Sequence, residues 1–319
     1  VRTAYDKILV SNGKGLISKP NPYGPNPYRK GSEVVYQQGG KELKMNVQYI
    51  GGLFKGTLQI INDPNEEQME SYSEAVYNNT PYIKDKELVS EGIEGNPVPQ
   101  KVGDPSPIKH IFYIIKENRT YDQVLGDVPE GNGDTSLVLF GEKITPNQHA
   151  LVREFVLLDN FYVNGEVSAD GHNWTMGAYA TDYLEKNWPT SYGGRGGTYP
   201  GEGKREIANN KDGFLWDFCK RAGVSYRSYG EFVDDDKPNI PVLKDHYCPG
   251  YIGWDLSFRD TSRFYQWKKD FDSLLAVNAV PQLNTIRFGN DHTVGLSLGK
   301  PTPSAQVADN DLAVGMFVD

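Results

Sequence analysis

The chain has 319 residues, enough for two domains of ordinary size, and 38% of them are hydrophobic, so a sizeable core is available. A formal net charge of −9 and a pI near 5.2 argue against a nucleic-acid backbone as the general partner. No apolar run approaches the roughly 18 residues that a membrane-spanning helix needs. The opening Val1-Arg-Thr-Ala-Tyr-Asp6 has no signal-peptide core.

Residues 1–76 read as β-structure. Lys7-Ile-Leu-Val-Ser11 is a strand closed by a turn at Asn12-Gly13. Lys19 to Tyr28 carries four prolines, which forbid regular pairing and make a rigid surface loop. Asn46-Val-Gln-Tyr-Ile-Gly51 and Thr57-Leu-Gln-Ile-Ile-Asn62 flank a turn near Lys55-Gly56, a hairpin pattern. So few strands do not make a stable all-β domain by themselves. Pro64 to Tyr77 predicts a helix with Met69, Tyr72, Val76 and Tyr77 on one face. The stretch 77–107 is rich in Pro, Gly and charge without apolar period, and reads as a linker.

From Ile108 to Asp319 strands and helices alternate. The strand candidates are Ile111–Ile115, Phe155–Leu158, Val224–Tyr229 and Leu283–Phe288. The helix candidates are Trp174–Lys186, Gly213–Arg221, Ser262–Leu275 and Ala305–Val318. Near-continuous apolar strands between helices predict an α/β fold with a mainly parallel sheet.

Three polar clusters follow the strands. They are Glu117-Asn118-Arg119-Thr120, the loop from Asn164 through Ser168, Asp170, His172 and Asn173, and Gly289-Asn290-Asp291-His292-Thr293. In an open α/β sheet, loops beyond the carboxyl ends of strands converge on one site. Glu117 and Asn118 offer the hard oxygen atoms that a divalent metal ion takes, and Arg119 can pair with an anion. Ser168 stands before a predicted helix, whose amino end favours an incoming phosphate. The plainer alternative is that Ser168, Asp170 or Asn173 is a helix N-cap. His292 is a candidate general acid or phosphate contact, and Asp291 either orients it or reaches the metal. Asp234-Asp235-Asp236 reads as a solvated acidic turn, with a calcium site as the minor alternative. Gly193 to Gly197 lacks the ending of a phosphate loop.

The run Ile108-Lys-His-Ile-Phe-Tyr-Ile-Ile-Lys-Glu117-Asn118-Arg119-Thr120-Tyr-Asp122 resembles the opening strand of the bacterial phosphoesterase family. That family holds phospholipase C and acid phosphatase relatives within the alkaline phosphatase superfamily. The resemblance implies an alkaline phosphatase-like sheet flanked by helices and metal-dependent hydrolysis of phosphoric esters. It also implies Ser168 as the covalent nucleophile, Glu117, Asn118 and Asp291 around a divalent metal ion, and His172 and His292 serving the phosphoryl group or leaving group. The chain departs from the phospholipase pattern Pro-Thr-x-Pro-Asn-Arg, because it has Val-Ser-Ala-Asp-Gly-His at 167–172, with His172 near the usual Arg. Asn290-Asp291-His292-Thr293 is similar to a signature of the branch fused to a β-propeller, and residues 1–76 resemble the last blades of one. On that basis the chain is expected to be an internal fragment, hardly active alone, from a periplasmic or secreted protein. Its expected partner is a phosphate-ester substrate. A non-catalytic ligand-binding protein with a relic phosphoesterase part is the rival reading. The two cysteines, Cys219 and Cys248, are either free thiols or, if the protein is exported, one disulfide.

Overall fold

A computed structural model describes residues 5–13, 56–80, 92–101, 103–192, 196–197 and 199–319, and the backbone alone of 33–38 and 41–46. Two compact units emerge, one spanning residues 1–107 with 193–195, the other 108–192 with 196–319.

In the first unit β1 (Lys7–Asn12) pairs antiparallel with β4 (Thr57–Asn62), Lys7 opposite Asn62 and Asn12 opposite Thr57. Thr57–Asn62 was expected to form a hairpin with the strand just before it, but among the described residues its partner is β1. The turn region 47–55 lies outside the described residues. β2 (Glu33–Gln38) pairs antiparallel with β3 (Lys41–Asn46). Helix α1 (Glu66–Asn79) starts at a reciprocal cap: Gln68 N–H donates to Asn65 Oδ1 at 2.8 Å and Asn65 N–H to Gln68 Oε1 at 3.1 Å. Its predicted apolar face, Met69, Tyr72, Val76 and Tyr77, is exposed.

The second unit is α/β. β5 (Ile111–Lys116), β9 (Leu283–Phe288) and β6 (Tyr226–Tyr229) form a three-stranded parallel sheet with β9 in the middle. Ile111 and Tyr226 both align with Leu283. All six residues of β9 are buried, as a central parallel strand requires. Around the sheet lie α2 (Tyr121–Leu125), α3 (Pro146–Glu154), α4 (Ser168–Gly177), α5 (Asp182–Tyr192), α6 (Leu215–Ala222), α7 (Asp260–Ala276) and α8 (Pro303–Val318). Helix α6 stops at Gly223, whose φ of 69° is the left-handed conformation that glycine adopts without a Cβ clash. The short antiparallel pair β7 (Val233–Asp234) and β8 (Lys237–Pro238) turns through Asp235 and Asp236, both at positive φ, as a two-residue hairpin demands. The acidic triplet is thus a turn, with Asp234 and Asp236 accepting from Asn239 Nδ2 and Gly250 N–H.

Three expectations change. Phe155–Leu158 forms no strand and is largely exposed. The single helix expected over Trp174–Lys186 is two, because Ala178 closes α4 in the left-handed conformation at φ 62°. Cys219 and Cys248 are free, buried, and belong to separate core clusters. One cluster gathers Trp216, Phe214 and Phe232; the other gathers Phe264, Trp267, Ile286 and Phe288. Trp267 packs on Phe317 of α8 with ring centroids 4.0 Å apart.

Helices α7 and α8 are also joined by polar contacts. Asp309 of α8 accepts from the Asp260 N–H at 2.8 Å, the Thr261 hydroxyl at 2.8 Å and Arg259 Nε at 2.8 Å, so it serves as the cap that α7 lacks locally. Buried Asp260 in turn accepts from Gly289 N–H at 3.1 Å, Asn290 N–H at 2.7 Å and Arg263 Nη1 at 2.8 Å. That fixes the loop leaving β9.

Candidate functional site

The carboxyl ends of β5 and β9 and the amino end of α4 meet. Glu117 directly follows β5, and its peptide bond to Asn118 is cis. Asn118 Nδ2 donates to Ser168 Oγ at 3.0 Å. Ser168 is the first residue of α4, but Val167 holds the N-cap position and no side chain caps the helix. The plainer reading of Ser168, Asp170 or Asn173 as N-cap therefore does not hold. The Ser168 hydroxyl is half-buried and turned to Asn118 instead.

One turn further along α4, His172 points into a buried ionic cluster. Its Nε2 donates to Glu117 Oε1 at 2.9 Å and its Nδ1 to Glu231 Oε1 at 2.7 Å. Arg287, from the middle strand, donates through Nη2 to the same Glu117 oxygen at 2.6 Å and through Nη1 to Glu202 Oε2 at 2.8 Å. Both cations converge on one atom, which brings Arg287 Nη2 to 3.2 Å from His172 Nε2. The Arg287 guanidinium lies 4.9 Å from the Trp254 ring centre, and Trp254 meets His292 edge-on at 5.0 Å.

The electrostatics follow from this packing. Burial pushes the Glu117 carboxyl up, but the hydrogen bond from His172 and the charges of His172 and Arg287 outweigh it and hold it well below the usual carboxylate range. Burial depresses His172, yet the Glu231 charge and the bonds to Glu117 and Glu231 raise it to about 10 against the opposing charge of Arg287. His172 is thus an imidazolium at neutral pH with both nitrogens committed to carboxylates. It orients Glu117 and has no free nitrogen for a substrate.

Asp291 is occupied differently from expectation. Lys116 Nζ donates to its Oδ2 at 3.0 Å and the Glu117 N–H to its Oδ1 at 3.2 Å. Desolvation raises its carboxyl above the ordinary aspartate value. Arg119 does not await an anion either: its Nε donates to the Asp291 carbonyl at 2.6 Å and its Nη2 to the His292 carbonyl at 2.8 Å. The contact that Arg119 makes ties the first strand-end loop to the third. His292 Nδ1 lies 3.0 Å from the Thr293 carbonyl, leaving Nε2 as the ring's other nitrogen.

Of the six residues singled out by sequence, Glu117 and His172 are one hydrogen-bonded pair and Asn118 and Ser168 another, Asp291 touches Glu117 through the backbone, and His292 is held through its carbonyl by Arg119 and through its ring by Trp254. Sequence reasoning missed Arg287, Glu202 and Glu231. Among the described residues no group of three or more His, Cys, Asp or Glu side chains is disposed to hold a metal ion. Glu117 Oε1 is taken by His172 and Arg287, and the Asp291 carboxylate by Lys116 and the Glu117 N–H, so the expected ligands are committed to protein partners. Compared with protein-family models, curated proteins and solved structures, the chain matches none.

Proposed function

We propose that residues 108–319 carry the nucleophile side of a phosphoric ester hydrolase of alkaline phosphatase-like arrangement, following a segment from the end of a β-propeller. The observation that carries this reading is the Ser168 hydroxyl. It sits at the amino end of a ten-residue helix, engaged in no cap, and oriented by an amide 3.0 Å away. In this reading Ser168 Oγ attacks phosphorus, the ester P–O bond breaks, and the alcohol leaves with a proton. Water then cleaves the phosphoserine and restores the hydroxyl. The first turn of α4 supplies partial positive charge to the phosphoryl oxygens. Asn118 orients the nucleophile, while Glu231 and Arg287 act through His172 and Glu117 as positioning residues. The expected divalent metal lacks a full ligand set among the described residues.

Incubation with an aryl phosphate, with and without added divalent cations, tests the reading. A burst of released phenolate with phosphoserine at position 168 by mass spectrometry is expected, abolished in Ser168→Ala and slowed in Asn118→Ala. No phosphorylation of Ser168 under any of these conditions refutes it. The rival, a ligand-binding protein that no longer turns over, is favoured by the closed ionic cluster that consumes Glu117 Oε1. It predicts that the ester binds and is recovered intact.

A further inference from the structure

The segment from Phe155 to Val163 carries the side chains of a buried strand, yet it is open to solvent. It reads Phe-Val-Leu-Leu-Asp-Asn-Phe-Tyr-Val. Phe155, Val156, Leu158, Phe161, Tyr162 and Val163 are between 62% and 82% exposed. Near-continuous apolar residues of this kind belong to strands covered on both faces. A contiguous exposed apolar patch marks an interaction surface.

Two further observations say what covers it. First, among the described residues Val156 and Leu157 have no backbone hydrogen bond, and the chain turns only after them, at Asp159-Asn160. An extended chain laid alongside would satisfy them as a strand edge does. Second, Leu157 turns inward to line a cavity of about 310 Å³ with Val128, Val152 and Phe155, and Glu130 and Asp159 stand in the same lining. The one cation of that lining, Arg153, is already held by Glu142 at 2.5 and 3.0 Å. The cavity is therefore of mixed lining, with Glu130 and Asp159 as its carboxylates.

We propose that Phe155–Val163 is a docking site for an extended polypeptide strand that alternates apolar and basic side chains. Its backbone pairs with the unpaired groups of Val156 and Leu157, ahead of the turn at Asp159-Asn160. Its apolar side chains fill the cavity and cover Val156 and Phe161, and its Lys or Arg heads meet Glu130 and Asp159. A second copy of this chain is disfavoured, because symmetric pairing brings two acidic rims together in a protein of net charge −9. An anionic lipid surface is disfavoured for the same reason. The proposal is independent of the phosphoester reading.

The test is fluorescence anisotropy of the whole chain with a labelled short peptide alternating Val and Lys, beside one alternating Val and Glu. Saturable binding of the Val–Lys peptide alone is expected, weakening by at least about tenfold in Val156→Ser/Phe161→Ser, ~1.4 kcal/mol. Glu130→Gln is expected to weaken it further and to reduce its salt dependence. All these side chains lie on the surface, and unchanged tryptophan emission on melting verifies the fold of each variant. Equal binding of the Val–Glu peptide, or no saturable binding to either, overturns the proposal. So does self-association on size exclusion that Val156→Ser/Phe161→Ser abolishes, or binding to anionic vesicles in place of the peptide.

Discussion

Arg287→Met should strongly destabilise the second unit. Arg287 is almost fully buried, and its side chain spans Glu117 at 2.6 Å and Glu202 at 2.8 Å, with Glu231 at 3.9 Å. Methionine keeps the stem but removes the charge, so Glu117 and Glu231 are left with His172, while Glu202 loses the guanidinium that held it. Removing one partner of a buried ion pair costs about 3–5 kcal/mol, because the other charge is stranded. Whole-domain stability is only about 5–15 kcal/mol. For a unit of this size each kcal/mol moves the melting temperature by about 2–4 °C, so a loss of roughly 6–20 °C is expected. All five tryptophans lie between Trp174 and Trp267, so their fluorescence on heating reports this unit alone. Adding Glu202→Gln should recover part of the loss, since it removes one stranded charge; such coupling runs at about 0.5–3 kcal/mol. A shift below about 3 °C for Arg287→Met, or strict additivity of the two substitutions, would refute the stranded-charge argument.

Two pH profiles follow from the same physics. His172 has its folded-state value raised to about 10, so its stabilising share is full below an unfolded value of about 6.5 and fades as pH rises through about 10. Urea unfolding should show wild-type stability falling between neutral and alkaline pH, with a shallower fall in His172→Gln; equal slopes would count against the imidazolium assignment. Asp309 behaves in the opposite sense: burial raises it, but the bonds from Thr261 and Arg259 hold it below the ordinary value. Its share is present above an unfolded value of about 3.9 and is lost as pH falls through the folded one. Asp309→Asn should therefore cost about 1.5–3 kcal/mol at neutral pH and little in acid, a convergence that acid titration of tryptophan fluorescence would reveal or exclude.

Much of the second unit was legible because apolar runs and helix periods are local signals. Ile111–Lys116 and Leu283–Phe288 are strands at nearly the expected bounds, and α7 and α8 lie where the pattern put them. The failures have physical causes. Phe155–Leu158 has strand chemistry, but an apolar run cannot reveal whether a partner lies beside it. The break at Ala178 follows no proline, and the left-handed conformation of an alanine leaves no mark in composition. Thr57–Asn62 has the pattern of a hairpin arm with its near neighbour, while its pairing with Lys7–Asn12 depends on a separation in sequence that local pattern does not encode.

The site was half legible for the same reason. The rule that function follows strand ends finds Glu117, Asn118 and the loop at Ser168, and it would have found Glu231, which follows β6 after a single glycine. It is blind to Arg287, which lies within a strand, although an arginine in an all-buried strand demands carboxylate partners. Knowing the cluster changes the chemistry expected at Ser168. Glu117, Glu202, Glu231 and Asp291 stand against Arg287, His172, Lys116 and Arg119, four negative charges against four positive ones. A phosphoryl group approaching Ser168 thus meets no surplus of positive charge beyond the roughly half charge of the helix amino end. That is little for a phosphoryl anion unless a further cation joins the site. In the aryl phosphate assay the burst should accordingly grow with added divalent cation and fall with rising monovalent salt. If phosphoserine forms equally well without divalent cation, the charge count around Glu117 is not what limits the reaction.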